Sequence, residues 1–176
     1  MQLNICPVCG EKPVLRQHPT DGPVAWCPRC GDWRYPLFAI AVSVAVLDPG
    51  RTRMLLIRQY GEKDAVFTAG YVDKGETAED AVVREVREET GLDLYGCPVR
   101  VIDSYANVDL ARGDNYFVDI YHAVKAFERE DVRIEKEEAT AFDIVPFSGI
   151  RRLSEEGAFL HFARIETALK KAGIPV

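Results

Sequence analysis

The sequence has no long unbroken apolar run. Its longest, Leu37 to Leu47, is interrupted by Ser43 and has roughly half the ~20 residues that a membrane-spanning helix needs. It reads as a buried strand, and no membrane partner is expected. A surplus of basic residues is also missing: 22 Lys and Arg stand against 28 Asp and Glu, for a net charge of -6. A chain whose main task is gripping a polyanion needs clustered Lys and Arg, so nucleic acid is not the expected partner. An anionic small molecule bridged by metal remains open. The first residues, Met-Gln-Leu-Asn-Ile-Cys, have neither a basic start nor an apolar signal core, which predicts a cytoplasmic protein with reduced thiols. No internal repeat or low-complexity segment is present. What is present is a chain of 176 residues with 47% hydrophobic content. That excludes disorder and gives room for one ordinary domain plus a small appendage.

Four of the five cysteines fall into two matched pairs, Cys6-Pro7-Val8-Cys9 followed by Gly10 and Cys27-Pro28-Arg29-Cys30 followed by Gly31, with 17 residues between them. Two residues between thiolates let one tight turn aim both sulfurs at one ion, and two such knuckles close a tetrahedron of the kind structural zinc prefers. The glycines stand where such a turn can need positive φ. Two disulfides, or a redox pair of the C-x-x-C kind, are the competing readings, but the first suits an oxidising compartment and the second needs no duplicate. With four sulfurs the set is complete, so His18 and Cys97 are not expected to be ligands. One zinc is expected to hold the segment folded and do no chemistry. Residues 1–35 are read as a zinc ribbon, with Tyr35-Pro36 marking the handover to a strand-rich domain at 36–176.

In that domain Leu37–Asp48 and Arg53–Gln59 are β-rich and flank Asp48-Pro49-Gly50, which predicts a hairpin. Val99–Val108 and Tyr116–Phe127 predict a second strand pair, joined through Ala111-Arg112-Gly113-Asp114, and Thr140–Val145 a short strand. Thr77 is a candidate N-cap, with Glu79 and Asp80 in the first turn and Gly91 as the closing residue of a helix of about fourteen residues. A last helix is expected near Ala158–Ala172, with Phe159, Phe162, Ile165 and Leu169 on one apolar face. Strands before, between and after two helices predict one layered α/β domain with a mixed sheet between helices.

The predicted helix from Thr77 carries Arg84-Glu85-Val86-Arg87-Glu88-Glu89-Thr90-Gly91-Leu92 near its end. Glu85, Glu88 and Glu89, at i, i+3 and i+4, share a face. Ala78, Val82 and Val86 form the neighbouring docking stripe, which keeps the carboxylates at the edge of the packed surface. Like charges so close are unfavourable unless cations offset them; oxygen ligands suit Mg²⁺ or Mn²⁺. A solvated acidic helix face is the bland alternative.

Gly70, Glu76, Arg84, Glu85, Val86, Glu88, Glu89, Gly91 and Leu92 together resemble the signature of the Nudix hydrolases. The resemblance covers roughly residues 37–150 and implies a Nudix-type α/β/α sandwich that cleaves a pyrophosphate linkage in a nucleotide derivative using one to three divalent ions. It implies Gly70 and Glu85, Glu88 and Glu89 as metal ligands, with Glu76 and Arg84 supporting them. It also implies a further glutamate from a later loop, for which Glu135, Glu137 and Glu138 are candidates and Glu138 is favoured. The ribbon, together with Tyr71 after the first glycine, is similar to the bacterial NADH pyrophosphatase branch, where Tyr71 would stack on a base. That branch has a Ser-Gln-Pro-Trp-Pro-Phe-Pro run where this chain has Ser104-Tyr105-Ala106-Asn107-Val108-Asp109-Leu110. Leu55–Tyr60 resembles a strand of ADP-ribose pyrophosphatases, offering Arg58 and Tyr60 as contacts to phosphate or base. ADP-ribose or an NADH-like dinucleotide is the expected substrate class, and a homodimer is implied by the family alone. The alternative is a non-catalytic nucleotide-sensing or nucleic-acid-binding module carrying the ribbon. The complete set of carboxylates and the near-balanced charge of the ribbon weigh against it.

Overall fold

The computed structural model describes residues 4–35, 38–59, 65–109, 114–135, 137, 139–159 and 162–174. The chain divides into two compact units, Met1–Phe38 and Ala39–Val176.

The first unit is a three-stranded antiparallel sheet of β1 (Val14–His18), β2 (Gly22–Cys27) and β3 (Asp32–Arg34). Each cysteine pair lies within a tight turn closed by the glycine that follows it, whose N–H donates to the carbonyl of the first cysteine, Gly10 to Cys6 and Gly31 to Cys27, both at 2.9 Å. Gly10 and Gly31 have φ of 75° and 64°, a region that costs a side-chain-bearing residue steric energy. Cys6 and Cys27 are buried beneath these turns.

The second unit is a mixed sheet with helices on both faces. Its strands are β4 (Ala39–Leu47), β5 (Arg53–Gln59), β6 (Thr68–Tyr71), β7 (Val99–Asp109), β8 (Asp114–Val124) and β9 (Ala139–Pro146). The order is β7-β8-β4-β5-β9, with β6 also on β4. β4 runs parallel to β8 and antiparallel to β5 and β6. Successive side chains on a strand point to opposite faces, and β4 shows it: Val42, Val44 and Val46 join one core, Ala45 and Leu47 the other. The first core packs Ala81, Val82 and Val86 of α1 (Ala78–Thr90) against the sheet. The second takes Phe147 and Ile150 from α2 (Phe147–Glu155), and Ile165 and Leu169 from α3 (Phe162–Lys171).

The expected hairpin of β4 and β5 is only partly realised. The strands pair at Val46–Leu55 and Leu47–Met54 and then separate; β6 pairs with β4 from Ala41 to Val44, and Val66 bridges Ile57 of β5. The turn before β5 is fixed by Asp48, whose carboxylate accepts from the backbone N–H groups of Thr52 and Arg53 at 2.7 and 2.9 Å. β6 and α2 are among the elements that escape the sequence reading. β6 is four residues long and contains a glycine, and α2 starts after Pro146 and carries Gly149 in its first turn, so both resemble loops in composition. The last helix starts at Phe162, not near Ala158: Phe159 instead pairs as an isolated bridge with Ala65 and is buried. Phe127 lies beyond the end of β8 and packs in the first core.

Helix α1 begins as its sequence prescribes. The Thr77 hydroxyl accepts from the Asp80 N–H at 3.1 Å, the Asp80 carboxylate reaches back to the Thr77 N–H, and Gly91 closes the helix in the left-handed region with φ 73°. Removing the cap hydroxyl leaves one donor of the first turn without its side-chain partner. We expect Thr77→Ala to lower unfolding free energy by about 1 kcal/mol, read by urea denaturation; an unchanged midpoint would show that the cap contributes nothing.

Candidate functional site

The last two turns of α1 lie against β6. Glu85 and Glu89 are buried and Glu88 is exposed. Arg84 knits this flank together. Its guanidinium donates to Glu76 at 2.9 and 3.0 Å, to Glu85 at 2.7 Å, to Glu88 at 3.0 Å and to the Tyr71 carbonyl at 2.8 Å. The structure thus brings Glu76, Arg84, Glu85 and Glu88 together, and places Gly70 so close to Glu85 that a methyl group there would overlap the carboxylate.

Glu89 is oriented separately. Its carboxylate accepts from the Gln59 amide at 2.7 Å and the Ala69 N–H at 3.1 Å. The three helix glutamates share a flank, yet among the described residues no three carboxylates gather their oxygens within 4.8 Å of one another. Arg84 stands between Glu85 and Glu88, and Glu89 faces β5 and β6. Counted over these five residues, four carboxylates stand against one guanidinium, an excess of three negative charges. Two of the carboxylates, Glu85 and Glu89, are buried, where charge is stable only beside donors or cations. This donor set of hard oxygens beside a side-chain-free glycine fits a divalent cation.

On the opposite face of the sheet from α1, beside Gly70, lies a cavity of about 330 Å³. Tyr71, Tyr105, Tyr116, Phe67, Ile165 and Arg164 are among its walls, and Gln59 reaches it from β5. Tyr71 is half-exposed and meets Tyr116 edge to face, with ring centroids 5.7 Å apart. Arg58 is not brought into this cavity. It donates to Asp143 at 2.8 and 3.0 Å and lines a different hollow at β9 and α2 with Arg129 and Arg152. Tyr60 and Glu138 lie outside the described residues. Gln59, Tyr105, Tyr116 and Arg164 were not singled out from sequence. Of these, Gln59 alone had a signal, being the neighbour of Arg58 on a strand whose alternation turns adjacent side chains to opposite faces.

In the first unit the four paired cysteines place their sulfurs all within 4.8 Å of one another, with Cys6 and Cys30 at 3.9 Å and Cys9 and Cys27 at 3.4 Å. All are free thiols, so the disulfide reading is not realised. Sulfurs bound tetrahedrally at ~2.3 Å from zinc stand about 3.8 Å apart, and these separations fit that geometry. The Arg34 guanidinium donates to Cys6 Sγ at 3.2 Å and brings that thiol down to about 6, which favours the thiolate that a metal needs. His18 is engaged with Thr20 and Asp21 and stacks edge to face on Trp33. Cys97 is half-buried against the first core of the other unit.

A family model described as NUDIX domain matches residues 37–162. Among curated proteins, the NAD-capped RNA hydrolase NudC of Stutzerimonas stutzeri is 37% identical over 97 residues, which cover 53% of this chain and 33% of that protein. The same-named protein of Photobacterium profundum is 36% identical over 93 residues, covering 52% and 33%. The match thus spans about a third of the length of these relatives. Among solved structures, the fold is similar to that of a MutT NUDIX hydrolase from Burkholderia pseudomallei, with TM-score 0.58, 23% identity and coverage of 77% of this chain and 98% of that one. It is similar also to a C. elegans Ap4A hydrolase, with TM-score 0.60, 17% identity and coverage of 77% and 95%.

The Arg84 contact holds the Glu76 carboxyl below its ordinary range, with the Asp73 backbone N–H adding to the effect. A depressed folded-state pKa gives stability that is fully present above the unfolded value and is lost as pH falls through the folded one. Glu76→Gln keeps the shape and removes the charge. We expect it to flatten the fall in stability from about pH 5 downwards, measured by urea denaturation at a series of pH values. Parallel curves for the variant and the parent would contradict this.

Proposed function

Since this chain belongs to the NUDIX domain family, we propose that it hydrolyses the pyrophosphate linkage of a nucleoside diphosphate derivative with the help of divalent metal. The observation that carries this reading is the gathering of Glu76, Glu85, Glu88 and Glu89 where the end of α1 meets Gly70, beside a cavity walled by aromatic rings.

In this reading Gly70, Glu85, Glu88 and Glu89 hold Mg²⁺ or Mn²⁺. When bound, such ions neutralise phosphate oxygens and lower the pKa of water. The chain's own contribution is orientation. Arg84 fixes Glu85 and Glu88 relative to Glu76, while Gln59 and the Ala69 N–H fix Glu89. Carboxylates held in this way undergo less rearrangement when the substrate arrives, which is how preorganised charge lowers a barrier. A later-loop glutamate, with Glu138 favoured, serves as base or additional ligand. Tyr71 offers a ring to the base of the nucleotide.

For the substrate, an NAD-type dinucleotide or ADP-ribose is favoured. The relatives named as NAD-capped RNA hydrolases support the first, and the resemblance of Leu55–Tyr60 to ADP-ribose pyrophosphatases supports the second. The four cysteines of the first unit bind one zinc that maintains the ribbon.

Glu85→Gln removes a charge from the cluster at nearly constant shape. We expect turnover to fall by several orders of magnitude, with the circular dichroism spectrum unchanged, when phosphate-containing products are followed over NADH, NAD⁺, ADP-ribose, FAD and dinucleoside polyphosphates with Mg²⁺ and Mn²⁺. Undiminished turnover in the variant would remove the mechanism, and an inactive parent across the panel would remove the function. Elemental analysis of the purified protein is expected to find about one zinc per chain, lost on substitution of Cys27 by Ser; a zinc-free folded protein would refute the ribbon's metal.

A further inference from the structure

Among the described residues the cavity beside Gly70 has one charged residue in its walls, Arg164. That residue comes from α3 and lies just past the residues 37–162 that match the family model. Its guanidinium carbon stands 4.4 Å from the centroid of the Tyr105 ring. The other cations near the end of α3 are engaged in ion pairs: Lys170 with Glu166 and Lys171 with Asp103, each at 2.7 Å. Arg151 of α2 shares Glu166. Among the described residues no such carboxylate partner is found for Arg164. An arginine resting on a tyrosine at the wall of an aromatic cavity, and not committed to an ion pair, is a stacking surface with a charge.

We infer that Arg164, supported by Tyr105, is a specificity-determining residue that stacks a planar, uncharged ring of the substrate within this cavity. The inference rests on the reading of α1 and β6 as the reacting centre, and it names the kind of group that must sit beside that centre. The volume, about 330 Å³, falls at the lower end of the ~300–1,000 Å³ typical of small-molecule sites, which suits one ring system with its sugar. Among the described residues the walls offer tyrosines, Phe67 and aliphatic side chains but no carboxylate. A sugar alone gains little from such walls, and a ring with a fixed positive charge is repelled by the guanidinium. A flat neutral ring gains both from aromatic contact and from the cation over its face. Tyr105 acts through Arg164: it is the platform that holds the guanidinium at the cavity.

The test is calorimetry without divalent metal, using adenosine 5′-monophosphate as a ring-bearing probe and ribose 5-phosphate as the same phosphate and sugar without a ring. The parent protein is expected to bind the first more tightly than the second. Arg164→Ala, an exposed position whose truncation leaves both cores intact, is expected to weaken the ring-bearing probe about tenfold and leave ribose 5-phosphate unchanged. For any dinucleotide that the parent cleaves, KM is expected to rise by a similar factor with kcat within about twofold of the parent. Equal weakening of both probes would make Arg164 a phosphate contact and overturn the inference, as would unchanged affinity for both or failure of the parent to prefer the ring. Because the binding arm needs neither metal nor turnover, it stands apart from failure of the hydrolytic reading, which the Glu85→Gln comparison decides.

Discussion

Negative charge gathered against a sheet is the constraint around which the second unit is arranged. Glu85 and Glu89 are buried, and a buried carboxylate is tolerated only when donors or cations surround it. The fold answers with different means for each. Arg84 lies along the exposed side of α1 and ties Glu85 to Glu88 and Glu76, while Glu89 is held from the sheet side by Gln59 and the Ala69 N–H. Gly70 completes the arrangement by having no side chain where Glu85 must pass. Each of these residues holds a different part of a set of four carboxylates, and that set of oxygen donors is what suits the flank to hard cations.

Strand pairing puts these groups in place. Had β4 and β5 continued as a regular hairpin, Gln59 would lie next to β4 and there would be no room for β6. Their separation beyond Val46–Leu55 lets β6 add to β4. Alternation along β6 then turns Gly70 toward α1 and its neighbours Ala69 and Tyr71 toward the other face. One short strand thereby serves the carboxylate flank with its glycine and the aromatic cavity with its tyrosine. The two faces of the sheet meet functionally at that strand, with separate hydrophobic cores anchoring α1 on one side and α2 and α3 on the other.

Much of this was legible in the residues themselves. Thr77, Asp80 and Gly91 marked the limits of α1, and its apolar stripe marked the docked face, because caps and periodicity are local properties. The cysteine pairs announced their cluster for the same reason: the spacing within each knuckle is a local geometric matter. The hairpin, by contrast, was read from two β-rich segments and a turn, and nothing local reveals that β4 takes β8 as a parallel neighbour 77 positions further on, as in the pairing of Ala39 with Tyr116. Arg58 illustrates the same limit. Its residue type suited a phosphate contact, but on β5 it lies on the face of Met54 and Leu56, away from α1, and Asp143 on β9 holds it at a separate hollow there. Arg164 and Tyr105, 59 positions apart, meet only because α3 packs over β7.

The two proposed metal sites are built from donors of opposite character, and that difference is itself an explanation of how one chain can sort two metals. Four sulfurs with separations near those of a tetrahedron favour a soft or borderline ion in a closed shell; the Arg34 contact with Cys6 adds to this by favouring thiolate over thiol. The carboxylates of α1 offer only oxygen, from side chains held apart by Arg84 and Gln59, a spread set that leaves space between donors for water and phosphate oxygens. A hard ion that keeps part of its hydration shell suits the second set and gains little from the first. On the proposed function, selection follows from donor chemistry and spacing, with a sulfur set complete within itself and an oxygen set left for a substrate to complete.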